Sequence, residues 1–362
     1  MGSQKGAIGV FSIAKGNISK RTIIIFTFIF LVVIFMTTVF SYMSSTRRLK
    51  HGLNYSNIML LKHISKNVDM QLQEIDRQIV SLINEPEIRI FMYENYDNNP
   101  DYYVHMQKLL KKMNDLKFTN PNIYSIYLYS SSQEKILTDI MSFKIDEFYD
   151  KGWLRTLNDL KKYYFWMDTR SIAENFSNKI ERKNIITLVR PYPIASHPQN
   201  RDGAVIVNIN ENVFNNLING SERQRLGEIF VVGNGGAVLS HYNKNRLYNQ
   251  LDKEEWGNHI LSSNQDGQVN GKMEGIDSSF FYITSPYTGW KYVSVIPHIQ
   301  INEPIITIRN IFFLIAVCMF FIAVVMVILA SRWTYEPVLR FIRTVSKTIN
   351  ESQIVSGKTQ SV

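Results

Sequence analysis

Residues 227–244 read GEIFVVGNGGAVLSHYNK, two short apolar runs on either side of Asn234-Gly235-Gly236. Asn-Gly is a dipeptide that favours a tight hairpin turn, because both positions tolerate positive φ. The glycines also invite comparison with a phosphate-binding loop. Such a loop needs Gly-Lys-Ser/Thr at the start of a helix, and here a second apolar run follows instead. The stretch therefore predicts an antiparallel β-hairpin.

More strand patterns lie on both sides of this hairpin. After it, SSFFYITS and WKYVSVIP flank a turn at residues 287–289. Before it, IYSIYLYS (residues 123–130) alternates with period two and predicts a half-buried strand, with Tyr127 and Tyr129 on the face opposite Ile126 and Leu128. Further strands are predicted at residues 164–168, 184–190 and 204–209.

Helical patterns precede each group of strands. Apolar residues recur at steps of three and four in residues 61–82, then in 106–116, and again around 211–218. Strands with helices stacked before them predict an α+β fold with antiparallel sheets. The narrow stripe in residues 61–82 has two interpretations: packing on its own domain alone, or packing together with a dimer contact near the membrane.

Two uncharged apolar runs, residues 23–42 and 311–330, are each long enough to cross a bilayer as a helix. The first predicts an uncleaved anchor, since no small-residue cleavage site follows it. Four basic residues and no acidic residue precede it, which predicts a cytoplasmic N-terminus and an extracellular central region. The predicted organisation is a tail (1–21), a span (22–42), an external domain (43–305) with a distal lobe (86–220) and a membrane-proximal lobe (221–300), a second span (306–330) and a cytoplasmic connector (331–362).

The formal net charge of +9 is concentrated beside the predicted membrane spans. This distribution reports topology and attraction to anionic lipid rather than a nucleic-acid groove. The single cysteine, Cys318, lies inside the second apolar run, so the external region has no thiol with which to form a disulfide.

The order of these segments resembles the double Cache, or tandem PAS-like, extracellular sensor domain of bacterial membrane receptors. The resemblance rests on ITLVRPYP, GAVIVNIN, GEIFVVGNGGAVLSH and FFYITSPYTGWKYVSVIP, flanked by apolar helices, and covers about residues 1–350. The segment from Phe148 to Arg170 is similar to the distal lobe of membrane-anchored AraC-family transcription regulators, and of related sensor histidine kinases, in low-GC Gram-positive bacteria.

The residues after the second span separate these two classes. Tyr335-Glu336-Pro337-Val338 resembles the start of the linker in the regulators more than a HAMP helix of the kinases. Pro337 suits the first turn of a helix. The predicted connector has an apolar stripe that includes Val338, Phe341, Ile342 and Val345. It can lie on the membrane or pair with its twin in a homodimer. We expect the output module, DNA-binding or kinase, to lie outside this chain, so nucleic acid would be bound only through that module.

The residue pattern favours binding over catalysis. The seven histidines have no metal-ligand spacing, and there is no Gly-x-Ser-x-Gly elbow, so neither an enzyme nor a metal or other cofactor is predicted. The expected partner is an extracellular small molecule or a partner protein. A third interpretation is a stand-alone binding protein anchored in the membrane.

The resemblance places candidate ligand contacts in the distal lobe. Apolar walls with a few fixed polar groups suit a small-molecule pocket, and arginine suits a carboxylate. The candidates are Tyr127, Tyr129, Trp153, Trp166, Arg170, Arg190, Tyr192 and Asn208. Amino-acid-binding members carry Trp-Tyr on the pocket helix. Here Leu154 follows Trp153, and Asn208 stands where a strand carboxylate would hold an ammonium group, which argues against an amino-acid ligand.

Overall fold

The computed structural model describes residues 3–94, 100–159, 164–176, 179–194, 201–220 and 227–358. The chain divides into two compact units. One comprises Met1–Gly52 and Ile301–Val362, and the other comprises Leu53–Gln300. The second unit contains both β-sheets.

The helices of the first unit are parts of the two longest elements, α1 (Ser3–Ile83) and α7 (His298–Lys358). Two stretches of these helices, Ile25–Ile83 and His298–Leu329, are long and apolar enough to cross a membrane. Large apolar side chains along them are exposed, among them Phe35 and Phe313. A bilayer would cover such surfaces, whereas water would not favour them. The predicted spans 22–42 and 306–330 fall within these helices.

Pro337 suggested that the connector begins a separate helix, but it does not. Helix α7 continues through this residue to Lys358. An interior proline costs one backbone hydrogen bond. Starting a separate helix would cost an unfavourable nucleation step, which continuing the helix of the preceding span avoids. The side chains of Pro337, Val338, Phe341 and Ile342 lie outside the described part of the structure, and Val345 is exposed.

The second unit begins with the remainder of α1, whose narrow apolar stripe is buried, as in Leu61, Val68 and Leu72. The stripe therefore packs within its own domain, and a dimer contact stays a prediction. Helix α2 (Pro86–Tyr93) starts at Pro86, which ends the pattern of α1 as expected. Helix α3 (Pro100–Thr119) carries the second predicted stripe and buries Met106, Leu109 and Met113.

The first lobe, residues 86–220, is built on an antiparallel sheet with strand order β3-β2-β1-β6-β5-β4. Helix α4 (Gly152–Asp159) precedes β4, and α5 (Glu211–Asn219) follows β6. The strands are β1 (Ile123–Ser130), β2 (Lys135–Thr138), β3 (Ser142–Lys144), β4 (Phe165–Phe176), β5 (Lys179–Tyr192) and β6 (Gly203–Asn210). The antiparallel sheet is confirmed, and β4 and β5 extend well beyond their predicted ends.

Strand β1 is not half-buried as predicted. Ile126 and Leu128 are fully buried, and Tyr127 on the other face is also buried. Alternation indicates two distinct faces but does not say that one of them meets water. Phe148 and Trp153 cover the tyrosine face, which makes β1 a central strand covered on both sides.

The second lobe, residues 227–297, has strand order β8-β7-β11-β10-β9 and, among its described residues, one α-helix, α6 (Glu255–Ser262), and two short 3-10 helices. Its strands are β7 (Glu228–Val232), β8 (Val238–Ser240), β9 (Gly267–Met273), β10 (Ile276–Thr284) and β11 (Lys291–Pro297). The Asn-Gly-Gly hairpin joins β7 to β8 as predicted, with Gly236 at φ +82°. Strand β11 lies at the centre of the sheet, and α7 begins at the next residue.

Candidate functional site

The eight residues predicted to contact a ligand lie on two different faces of the first sheet. We call one face the site face; it carries the apolar cluster of Tyr127, Val189, Ala204 and Ile206, with Trp153 of α4 packed against it. The opposite face, which packs on α1, α2 and the second lobe, is called the helix face. The structure brings five of the predicted residues to the site face: Tyr127, Tyr129, Trp153, Arg170 and Asn208.

Aromatic rings cover one end of the site face. Trp153 is fully buried, and its Nε1 donates to the carbonyl oxygen of Asp150 at 2.9 Å. Its ring lies 5.3 Å from that of Tyr129 in an edge-to-face arrangement. The Tyr127 ring packs in the same way against Phe148 at 5.0 Å. These contacts make Trp153 and Tyr127 part of the core of the lobe. Tyr129 is half-buried beside them.

Polar groups lie next to this aromatic wall in one connected network. Arg170 binds the Asp150 carboxylate through both terminal nitrogens, with Nη2 to Oδ2 at 2.8 Å, and its Nε donates to Thr187 Oγ1 at 3.1 Å. Nη2 also approaches Asn208 Oδ1 at 3.3 Å. Asn208 accepts from the Thr187 hydroxyl at 2.7 Å and donates to Ser125 Oγ at 2.9 Å. The network thus links the segment before α4 to strands β4, β5, β6 and β1.

A β-bulge brings Arg170 into this network. Simple alternation from Trp166 would place Arg170 on the helix face, since the two positions are four apart. In the pairing of β4 with β5, however, Met167 lies opposite Thr187 and Arg170 lies opposite Ile185. The extra residue turns the arginine to the site face. Sequence periodicity alone could not have shown this.

The acid partner, Asp150, is the site residue that sequence reasoning missed. Its side chain is 1% exposed, and it fills the two-pronged edge of Arg170 that a ligand carboxylate would use. The neighbouring Gly152 leaves room for the guanidinium, because a Cβ there would lie 3.3 Å from Arg170 Nη1. The sequence FYDKGW (residues 148–153) did contain a signal for this pair, since a glycine, Gly152, lies two residues after the acid Asp150.

The other three predicted residues lie on the helix face. Arg190 pairs with Asp76 of α1, with Nε to Oδ1 at 2.7 Å, and its guanidinium lies 5.2 Å from the Tyr164 ring. The Trp166 ring packs edge-on against Trp290 of the second lobe at 6.2 Å. These contacts hold the sheet to its neighbours.

Tyr192, the third of them, packs 6.2 Å from Tyr93 of α2. Burial raises the pKa of the Tyr192 hydroxyl, so this group stays protonated at neutral pH.

Strand β4 and helix α5, which directly follows β6, contact the second lobe. Thr169, next to Arg170, donates to the carbonyl oxygen of Leu239 at 2.5 Å. Glu211, three residues after Asn208, is fully buried and accepts from Ser240 Oγ at 2.7 Å and from Lys244 Nζ at 2.5 Å. We call this set of contacts the lobe junction. It gives the site face two direct connections to β8 and the turn after it.

The second unit has the predicted α+β fold, a long helix followed by two antiparallel sheets in succession, and this fold is similar to that of solved sensory domains. No family model matches the chain, and no curated protein matches its sequence. Solved structures do match.

The periplasmic sensory domain of the Campylobacter jejuni chemoreceptor Tlp1 matches with a TM-score of 0.54 and 12% identity, over 71% of this chain and 99% of that one. An extracellular domain assigned to the histidine kinase vpHK1S-Z8 matches with 0.52 and 10%, over 71% and 96%. A domain assigned to a sensory box/GGDEF family protein of Vibrio parahaemolyticus matches with 0.51 and 10%, over 70% and 99%. At these identities the likeness shows the fold.

Proposed function

We propose that this chain is the sensory and membrane-spanning part of a bacterial receptor, with the unit Leu53–Gln300 outside the membrane. The likeness of this unit to sensory domains of receptors supports the proposal by analogy of fold. Two apolar helices flank it in the chain, as a two-pass receptor requires. Both ends of the chain then lie in the cytosol, where the basic N-terminal tail favours them.

The observation that carries a binding function is the Arg170–Asp150 pair on the site face. Burying an ion pair is seldom the most stable solution for a core, because desolvation offsets most of the attraction. Here the pair lies beside an aromatic wall and next to two neutral acceptors, Thr187 and Asn208. We infer that Asp150 holds the place of a ligand's acidic group, and that a small carboxylate exchanges with it.

A route for the signal follows from the lobe junction. Exchange of the Asp150 carboxylate alters the surroundings of Arg170 and Asn208. The second lobe is contacted by Thr169, next to Arg170 in β4, and by Glu211, the first residue of α5 directly after β6. Strand β11 at the centre of the second sheet continues without a linker into α7. The shift this transmits is limited by the ligand's differential affinity for the two states, about 1.4 kcal/mol per tenfold.

We further propose that the output module belongs to a membrane-anchored AraC-family transcription regulator. The motif at residues 335–338 favours this class. A sensor histidine kinase is the alternative, and a stand-alone anchored binding protein is the third candidate. The coding DNA after codon 362 separates them. An open frame encoding two helix-turn-helix units supports a regulator, a helix with a phosphoacceptor histidine supports a kinase, and a stop codon supports the third.

The binding proposal is tested on the full chain in lipid nanodiscs, with a panel of small carboxylates and a thermal-unfolding readout. We expect at least one carboxylate to raise Tm in the wild type and in Arg155→Gln, an exposed arginine of α4 that serves as the matched control. Arg170→Gln should abolish the shift. A carboxylate that stabilises Arg170→Gln as much as the wild type would contradict a site at Arg170.

A further inference from the structure

The second lobe contains a cavity of about 180 Å³ between its sheet and the segment that leads from β8 to α6. Its lining includes apolar groups of Phe230, Trp256 and Met273 together with the guanidinium of Arg246. An apolar cavity of about 150 Å³ is large enough to bind benzene. The space is therefore suited to a small ligand with an apolar body and one acidic group.

Arg246 is bound through Nη1 on one edge, and on the other edge only Nη2 has a partner in the described part of the chain. Its Nη1 donates to Glu228 Oε1 at 2.7 Å and to Met273 Sδ at 3.5 Å. Its Nη2 lies 2.5 Å from Glu274 Oε1. Among the described residues its Nε donates no hydrogen bond, although a guanidinium carries five N–H donors. One N–H beside Nη2 is thus available to a ligand.

Glu228 holds Arg246 through the Nη1 nitrogen, on the edge away from Glu274. Burial by itself would raise the pKa of Glu228, but hydrogen bonding and charge from His241, together with Arg246, leave it below its usual value. An ionised Glu228 keeps the guanidinium in place when its other partner leaves.

The outer partner, Glu274, is easily exchanged. Its side chain is 70% exposed on the turn between β9 and β10. An exposed ion pair contributes little to stability, because water and salt screen it. A ligand carboxylate could replace Glu274 at small cost.

We propose that this cavity is a second ligand site, separate from the site face, which binds a small monocarboxylate with an apolar body about the size of a benzene ring. The carboxylate binds the Nε and Nη2 edge of Arg246 in place of Glu274, and the apolar body lies against Trp256 and Phe230. The two other charged groups that line the cavity, Glu254 and Lys272, are exposed and of opposite sign.

The test uses the full chain in nanodiscs, with sodium benzoate as the probe, benzamide as its neutral isostere and calorimetry as the readout. Benzoate should bind saturably and benzamide at least about tenfold more weakly, since a hydrogen bond between charged groups contributes at least about that factor. Arg246→Gln should lose a similar factor, while Arg170→Gln should bind benzoate as the wild type does. If the proposed site at Arg170 were wrong, benzoate binding at Arg246 would therefore be unaffected.

The most informative variant is Glu274→Gln, which removes a competitor without touching the ligand. Benzoate should bind about two- to fivefold more tightly, the range expected for loss of an exposed ion pair. Glu255→Gln, which neutralises an exposed acid outside the cavity lining, is the matched control and should leave the affinity unchanged. No benzoate binding up to about 10 mM, which means a binding free energy weaker than about −3 kcal/mol, would overturn the proposal. Unchanged or weaker binding by Glu274→Gln would also overturn it.

Discussion

Replacing Asp150 by asparagine keeps the shape of the side chain and removes the charge that Arg170 binds. Removing one partner of a buried ion pair costs about 3–5 kcal/mol, because the remaining charge is left without compensation. Arg170 is 16% exposed, and the asparagine amide oxygen still accepts one hydrogen bond, so the lower end of that range, about 3 kcal/mol, applies. For a domain of this size about 3 kcal/mol lowers Tm by about 6–12 °C.

The assay is thermal and urea unfolding of the full chain in nanodiscs, for the wild type, Asp150→Asn, Arg170→Gln and the double variant. The two single variants should each be destabilised, and the double variant should be less destabilised than their sum, because the pair acts as one unit. Asp146→Asn, an exposed acid in the same segment, is the control and should change stability by less than about 0.5 kcal/mol. Equal stability of Asp150→Asn and Asp146→Asn would contradict the buried pair.

Three further predictions concern Asp168 of β4, the turn at Gly236 and the lobe junction. Burial raises the pKa of Asp168 above 3.8, so the folded state binds its proton more tightly than the unfolded state. Stability from this group therefore increases as the pH falls, and Asp168→Asn should raise Tm at pH 7 by a margin that shrinks towards pH 3.8; a constant margin would contradict this. Gly236→Ala should lower the free energy of unfolding in urea by about 1–3 kcal/mol, since φ is +82°, and no change would show that the turn relaxes freely. Glu211→Gln should remove the charged partner of Lys244, which keeps only its hydrogen bond to the His241 carbonyl oxygen, and so weaken the lobe junction, seen as faster amide exchange in β8; unchanged exchange would contradict a coupling role.

The architecture could be predicted because its signals are local. Period-two alternation and the Asn-Gly turn specify antiparallel hairpins, and the stripe in residues 61–82 specifies a helix that packs on its own domain. These signals depend only on neighbouring residues. They can therefore be recognised without knowledge of the tertiary contacts.

The site depended on features that local patterns do not contain. The bulge in β4 moved Arg170 to the site face, while the unbroken alternation of β5 left Arg190 on the helix face with Asp76. Asp150 is twenty residues from its partner, and only the packed lobe brings the two together. At Pro337 the local rule failed for the opposite reason, since the preceding helix overrides the preference of a single residue.

Labelling with a membrane-impermeant maleimide tests the receptor topology most directly. Single cysteines are introduced by Ser3→Cys, Ser131→Cys and Ser361→Cys in a chain that carries Cys318→Ser, so that each position is read alone. The proposed topology predicts that the Ser131→Cys chain is labelled in intact cells and that the other two are labelled only after lysis. Labelling of either end in intact cells, or protection of position 131, would contradict it.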